Sequence, residues 1–341
     1  MGSARIKIIQ FKNSRGRLEL FSRAITQTPL GTIEEGKIND PGPLTEELKQ
    51  LKQKYSWHSN RVNLCLGSQA FFMRRVQLPP MTEAEKTRAM QFEVERHFPL
   101  KAREAVFDYC PVENNKNPSP SAREYLLAAA SKETADSYSA VVESAGFNLH
   151  SIEILPLSLL RSILNRVTAG RGQPAKKNAS CCVLLDVGFK DSSLLIARGR
   201  EYQLYRSLKT GIDHFCRDAV KGDCTDYQSA HRKVYTKGSL DERGLTKTAD
   251  QLAAKIIQSL NYWTEQSSLS GSEVHSLEIC GGGAFIPGLA AYLEQKLSIK
   301  PRLYNPLSTF TGTSLSGQPE TYREEAFFPA AQGLALRGWV K

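Results

Sequence analysis

Val183-Leu-Leu-Asp-Val187 runs apolar into Gly188, and Ser193-Leu-Leu-Ile-Ala197 runs apolar again. Arg198-Gly-Arg200 then interrupts, and Glu201-Tyr-Gln-Leu-Tyr-Arg206 follows. The pattern predicts strand, small loop, strand, tight turn, strand, because glycine supplies the positive φ that a reversal needs. The start of the chain reads in a similar way. Ile6-Lys-Ile-Ile-Gln-Phe11 is strand-like, Asn13-Ser-Arg-Gly-Arg17 turns, and Leu18-Glu-Leu-Phe-Ser-Arg23 is the returning strand. Both copies carry Arg-Gly-Arg at the turn and an arginine six residues after its second Arg. A shared tripeptide is weak evidence of duplication; the shared order of strands around it is stronger.

The intervening pieces also have clear signals. Pro43 to Tyr55 holds a helix with Leu44, Leu48 and Leu51 on one face. Strands are expected at Arg61–Gly67 and Phe71–Leu78. Thr82-x-x-Glu85 is a capping box for a helix running to about His97 and stopping before Pro99. Glu124–Ala130 reads as a buried strand, followed by a helix from Lys132 to Ala145 and a strand from Leu149 to Ile154. Asn114–Ser121 is a polar loop, and residues 169–178 form the expected hinge between halves. Near the end, the strand Ser276–Cys280 meets Gly281-Gly-Gly283, and Leu289, Tyr292, Leu293 and Leu297 fall on one helical face. A glycine-rich loop opening a helix brings backbone N–H groups close to an anion, although three glycines also make a plain tight turn.

At 341 residues with 40% hydrophobic and 23% charged residues, the chain is long enough for about two globular domains and is not disordered. No apolar stretch approaches the roughly 20 residues of a membrane helix. The first residues meet charge at Arg5 and Lys7 and contain no apolar signal core, so a cytoplasmic location is expected. The seven cysteines form no C-x-x-C pair, and only His214 with Cys216 approaches a metal-ligand spacing; buried or incidental thiols are expected. The net charge of +10 favours polyanions or an anionic leaflet, but no nucleic-acid-binding motif accompanies it. Nucleic acid is therefore not expected as a partner.

Taken in order, the Gly-Ser loop, the Asp-x-Gly loop, the Gly-Gly-Gly loop and the C-terminal Ala331-Gln-Gly-Leu-Ala-Leu-Arg337 resemble the actin-like ATPase superfamily. Within it the chain resembles the PilM family of type IV pilus assembly proteins, relatives of the division protein FtsA. The resemblance is carried by Leu78-Pro-Pro-Met-Thr-Glu-Ala-Glu85, Phe92-Glu-Val-Glu-Arg-His-Phe-Pro99, Phe107-Asp-Tyr109, Asn305-Pro306 and Gly333-Leu-Ala-Leu-Arg337, and it covers essentially the whole chain. It implies an α/β, two-lobed actin-like fold (ribonuclease H-like and duplicated) with a small inserted αβ subdomain. Residues 1–80, completed by about 150–170 and 325–341, would be the first lobe. Residues 81–150 would be the insert, and 178–324 the second lobe, with a helical subdomain at about 215–270.

By the same resemblance, ATP and Mg²⁺ would lie between a first loop with Gly2, Ser3 and Lys7 and a second with Asp186, Gly188 and Ser192. Adenine would face Gly281, Gly282 and Gly283, and Asp186 would hold Mg²⁺. The sequence departs from the family at each contact. Met1 occupies the position after the family's first-loop Asp, so neither that Asp nor the front of its strand is present. Phe189 replaces a small residue and Ser192 a Thr, whose hydroxyl serine keeps. Lys255 and Gln258 stand where the family has Glu and Arg at ribose and base, and a lysine cannot accept from a ribose hydroxyl.

The function implied is a cytoplasmic scaffold of type IV pilus assembly, or of a related competence or secretion machine, peripheral to the inner face of the cell membrane. Its partner would be the short cytoplasmic N-terminal peptide of the membrane protein PilN, bound in a groove between first lobe and insert, with the helix Thr82–His97 as a wall. Other pilus assembly proteins and a homo-oligomer are further partners the resemblance allows. The alternative is an active actin-fold small-molecule kinase or ATPase. It requires a positioned carboxylate base, and no catalytic residue is singled out by spacing.

Overall fold

The computed structural model describes residues 1–55, 57–112, 122–169, 181–221, 227–236, 243–266, 274–310 and 324–339. The chain divides into two compact units, Met1–Ile6 with Thr26–Leu155 and Lys7–Ile25 with Pro156–Lys341. The expected polar loop at 114–121 and the hinge at 169–178, apart from Ala169, fall outside the described residues.

The hairpin β1 (Arg5–Ser14) and β2 (Arg17–Gln27) contributes residues to both units. Its reversal uses Arg15 at φ 53° and Gly16 at φ 79°, the left-handed pair a two-residue hairpin favours. The short strands β3 (Ile33–Glu34) and β4 (Lys37–Ile38) follow. Asp40 then caps α1 (Pro41–Lys54) by accepting from the Gly42 N–H, and Leu44, Leu48 and Leu51 are its buried stripe. The strand β5 (Arg61–Leu66) pairs in parallel with β9 (Asn148–Ile154). Between them the chain inserts β6 (Phe72–Leu78), α2 (Glu83–His97), β7 (Ala105–Pro111), β8 (Arg123–Ser131) and α3 (Lys132–Ser144), whereas the insert expected from the sequence covered residues 81–150 and left β6 to the first lobe. The capping box is present as read, with the Thr82 N–H donating to Glu85 Oε2 at 2.8 Å and the Glu85 N–H to Thr82 Oγ1 at 3.4 Å. The antiparallel sheet runs β6-β8-β7, and Met90 and Val94 of α2 share a buried cluster with Val76, Leu78, Phe98, Tyr125 and Leu127.

In the second unit, α4 (Leu155–Ala169) precedes the strands β10 (Cys181–Val187), β11 (Ser192–Arg198) and β12 (Glu201–Ser207). Among the described residues, the helices α5 (Ile212–Lys221), α6 (Tyr227–Val234) and α7 (Arg243–Gln266) follow. Then come β13 (Val274–Cys280), α8 (Leu289–Leu297), β14 (Pro301–Leu303) and α9 (Pro329–Ala335). The five-stranded sheet runs β12-β11-β10-β13-β14, with the hairpin strands antiparallel and the last two parallel to β10. Val183, Leu185, Val187, Leu194 and Ile196 bury its core against α5, α7 and α8 through Phe215, Leu252, Ile256 and Leu289.

Two expectations need correction. The Arg-Gly-Arg tripeptides do not share a register: Arg15-Gly16 makes the first turn, whereas Gly199-Arg200 makes the second, because Arg198 still belongs to β11. The glycine run does not open α8 directly; a 3-10 turn at Gly282–Phe285 intervenes. The compact unit that holds β10–β14 also takes in α4, α9 and residues 7–25. The reason is packing. Leu307, Phe310 and Leu336 enclose Ile9, Phe11, Leu18 and Leu20, Ser162 Oγ meets Tyr304 Oη at 2.8 Å, and Arg161 donates to the Gly333 carbonyl at 2.7 Å.

Candidate functional site

Asp186 is the next-to-last residue of the central strand β10 and stands in register with Cys280, the last residue of β13. The parallel pairing thus places the Asp186-x-Gly188 loop beside Gly281–Gly283. A side chain at Gly281 would put its Cβ 2.3 Å from Asp186 Oδ1 and 2.6 Å from the Val187 carbonyl, and the residue adopts φ 78°. Glycine is required there on both counts. Burial pushes the Asp186 carboxyl above its ordinary value, and Asp191 adds to the rise. Lys7 of β1 and a hydrogen bond from the Cys280 thiol oppose it. Burial, with the Asp186 carboxylate beside it, pushes the Cys280 thiol well up. Lys7 and Asp186, far apart in the chain, are therefore brought within electrostatic reach.

The second loop is closed by the chain itself. The Gly188 N–H donates to the Asp191 carbonyl at 3.1 Å. The first N–H groups of α5 are also taken: Ile212 donates to the Gly188 carbonyl at 3.1 Å and Asp213 to the Phe189 carbonyl at 2.9 Å. Gly211 permits this approach, since its Cβ would lie 2.5 Å from the Phe189 carbonyl. Lys190 and Arg217 both pair with the buried Asp213, at 3.2 and 2.7 Å. The Phe189 ring packs against the core cluster, with Lys190 over its face at 5.6 Å.

Ser192, an expected contact, and Lys255, which stands at the family's ribose position, are both engaged within the fold. Ser192 is fully buried and donates its hydroxyl to the Thr210 carbonyl, so that proton does not face a phosphate. Lys255 donates to Thr210 Oγ1 at 2.7 Å and supports the same turn. Burial, and Lys209 second, lower its pKa. The glycines beyond Gly281 meet protein on the side where a Cβ would point: Gly282 faces Ile212 Cδ1 at 2.8 Å, and Gly283 faces Val187 Cγ1 at 2.1 Å. Gly2 and Ser3 belong to the first unit. There the Gly2 N–H donates to the Arg5 carbonyl at 3.1 Å, and Thr28 Oγ1 donates to the Gly2 carbonyl at 2.6 Å.

Against ATP and Mg²⁺, the charged part of this arrangement fits: a carboxylate, a lysine near it, and glycine backbone without side chains. Asp186 stands without a metal-binding cluster, because among the described residues no group of three His, Cys, Asp or Glu side chains could hold an ion. The hydroxyl of Ser192 and the amine of Lys255 do not fit, since both serve the fold. Sequence reasoning did not nominate Cys280, Thr210 or Asp213. Cys280 was discoverable as the residue directly between strand and glycine run.

The type IV pilus assembly protein PilM family matches residues 1–339. The chain belongs to this family. A solved structure described as a PilM-PilN type IV pilus biogenesis complex is 23% identical, covering 99% of this chain and 96% of that one with a TM-score of 0.86. The ethanolamine utilization protein EutJ from Carboxydothermus hydrogenoformans is 11% identical, covering 98% and 86% with a TM-score of 0.56. No curated protein shows significant sequence similarity to the chain. The actin-like α/β fold expected for a PilM-family member stands, and with it the assignment to type IV pilus assembly.

A second region of this PilM-family chain has open chemistry. On α2, Lys86, Met90, Glu93 and Val94 are buried, whereas Phe92 is 64% exposed. Gln91 and Glu95 line an open hollow with Lys101, Ala102 and Arg103. Phe72, on the edge strand β6, stacks on Phe98 at 5.6 Å, and Val106 of the opposite edge strand β7 is also exposed. No helix among the described residues is long and apolar enough to cross a membrane.

Proposed function

We propose that this PilM-family protein is an assembly scaffold that binds the cytoplasmic N-terminal peptide of a PilN-like membrane protein. The observation that carries the reading is the backbone likeness, over 99% of the chain, to a structure described as a PilM-PilN complex. The first unit supplies suitable surface. A peptide gains main-chain hydrogen bonds along a sheet edge and side-chain pockets beside it; β6 and β7 are such edges, and Phe92 on α2 adds exposed apolar area. Through this partner the protein would sit at the inner face of the cell membrane. Titration of the full chain with a synthetic PilN-like N-terminal peptide, followed by calorimetry, should give saturable binding; an absence of heat and of any chemical-shift change sinks the proposal.

We further propose that adenine nucleotide with Mg²⁺ occupies the Asp186 region, with Asp186 toward the metal, Lys7 toward the phosphates and the glycine backbone beside the base. Bound nucleotide would supply only charge and contacts for ordering the loops. The support is the carboxylate, lysine and glycine arrangement, with the turn Thr210–Gly211 already braced by Ser192 and Lys255. Thermal melting with and without millimolar MgATP tests this part, and an unchanged melting temperature overturns it.

A further inference from the structure

The end of α1 and the adjoining starts of β5 and β9 carry a cluster of cations that the peptide reading does not use. Lys52 donates to the Gly146 carbonyl and lies over the Phe147 ring at 5.3 Å. Two residues later Lys54 is exposed, over the Tyr55 ring at 5.7 Å. Arg61 opens β5 opposite Asn148, and the Asn148 N–H donates to the Asn60 carbonyl at 2.7 Å. These pairings hold the two segments together at one end of the parallel pair. The Arg61 guanidinium donates to an imidazole nitrogen of His150, 2.8 Å away, rather than to a carboxylate. Among the described residues Lys52, Lys54 and Arg61 have no acidic partner, and the exposed Glu143 at the end of α3 pairs with none of them.

Aromatic rings lie among these charges. Tyr55 and Trp57 are half-buried, with ring centroids 5.9 Å apart and planes at 43°. The Trp57 indole N–H is already spent on the Leu51 carbonyl at 3.2 Å. Tilted rings are a poor platform for stacking successive bases. Cations with apolar stems beside Tyr and Trp are instead the composition of a surface that meets lipid headgroups.

We infer that this face, built from Lys52, Lys54, Tyr55, Trp57, Arg61 and His150, docks directly on an anionic phospholipid surface. Each exposed Lys or Arg near an anionic bilayer strengthens binding about fivefold, and the contribution is screened by salt. The contact is separate from the proposed peptide surface and goes beyond it. It would orient the first unit on the leaflet rather than leave the chain suspended from its partner alone.

The test is co-sedimentation of the full chain, without any peptide, with vesicles of phosphatidylglycerol and phosphatidylethanolamine and with vesicles of phosphatidylcholine. Binding is expected only to the anionic vesicles, falling steeply from 50 mM to 500 mM salt. The double variant Lys54→Gln with Arg61→Gln should bind about 25-fold more weakly, with an unchanged melting temperature as evidence of folding. Lys52 is left intact because its amine braces Gly146. Should the double variant melt early, the single variant Lys54→Gln, which removes only an exposed amine, should still lose about fivefold. Equal binding to both vesicle types, unchanged binding by the folded variants, or binding to an oligonucleotide but to neither vesicle would each overturn the inference. Peptide titration is independent of all these outcomes, so failure here and failure of the PilN reading are distinguishable.

Discussion

The region around Asp186 and the inserted sheet of the first unit differ in how completely each satisfies itself. Around Asp186, loop carbonyls take the first N–H groups of α5, Ser192 and Lys255 brace Thr210, and three glycines lie against protein atoms. In the insert, β6 and β7 are edge strands, Phe92 stands exposed, and a hollow opens beside α2. The first region is built to hold a shape. The second is built to meet something. The proposed peptide recognition rests on the second region and the proposed nucleotide binding on the first.

The contrast breaks most easily at the glycines. Gly281→Val should destabilise the protein by about 3 kcal/mol or prevent folding, through its positive φ and the clash with Asp186; chemical denaturation measures it, and a near-neutral result would mean that the loop is looser than its contacts imply.

The next largest effect concerns Asp186. MgATP at a hundredfold excess over Kd should stabilise the wild type by about 2.7 kcal/mol, and Asp186→Asn should remove that response. The sign of the pH effect is also defined. Because the folded-state carboxyl is raised, the folded protein retains a proton that the unfolded chain releases. Its contribution to stability is therefore present at low pH and is lost as pH climbs from the ordinary value near 3.8 through the raised one. Asp186→Asn should flatten that fall and raise the apo melting temperature at neutral pH. A lowered apo melting temperature would show that Lys7 outweighs burial.

On the open side, Phe92→Ser should change folding stability by less than about 0.5 kcal/mol yet weaken PilN-like peptide by about 1–2 kcal/mol, read by melting and titration in parallel. The opposite result would make Phe92 part of the fold. The smallest effect is expected for Thr82→Ala, which removes the α2 cap and should cost about 1 kcal/mol, with a smaller change in peptide affinity than Phe92→Ser.

Local signals made much of this fold legible. The capping box at Thr82 and Glu85, the Leu44–Leu48–Leu51 stripe and both hairpins follow from spacing and turn chemistry. The Asp186-x-Gly188 loop was also readable, and the resemblance supplied Lys7 as its companion. What was not legible depended on long-range pairing. Nothing near Ser192 announces that its hydroxyl will be claimed by Thr210, eighteen positions away. Nor does the sequence around Lys255 reveal that its amine braces that same residue rather than replacing a ribose contact. The Arg-Gly-Arg tripeptide misled in a different way: turn register is set by strand length, and β11 extends one residue further than the repeat suggests.

The position of β10 has a consequence for how the chain reaches this state. Its pairing with β11 is between near neighbours, whereas its parallel pairing joins Cys182 to Ser276, about ninety residues away. A hairpin of this kind closes in roughly microseconds, but the parallel pair must await a long closure. The three-stranded β10–β12 meander should therefore form first, leaving one edge of β10 open until the intervening helices have folded and β13 pairs with it. During that interval the exposed edge of an apolar strand is a template for other chains. Translation order lengthens the exposure, because β13 is synthesised last of the strands that β10 needs. Protein expressed without time to complete β13 should accumulate as aggregate through β10, not through the first unit.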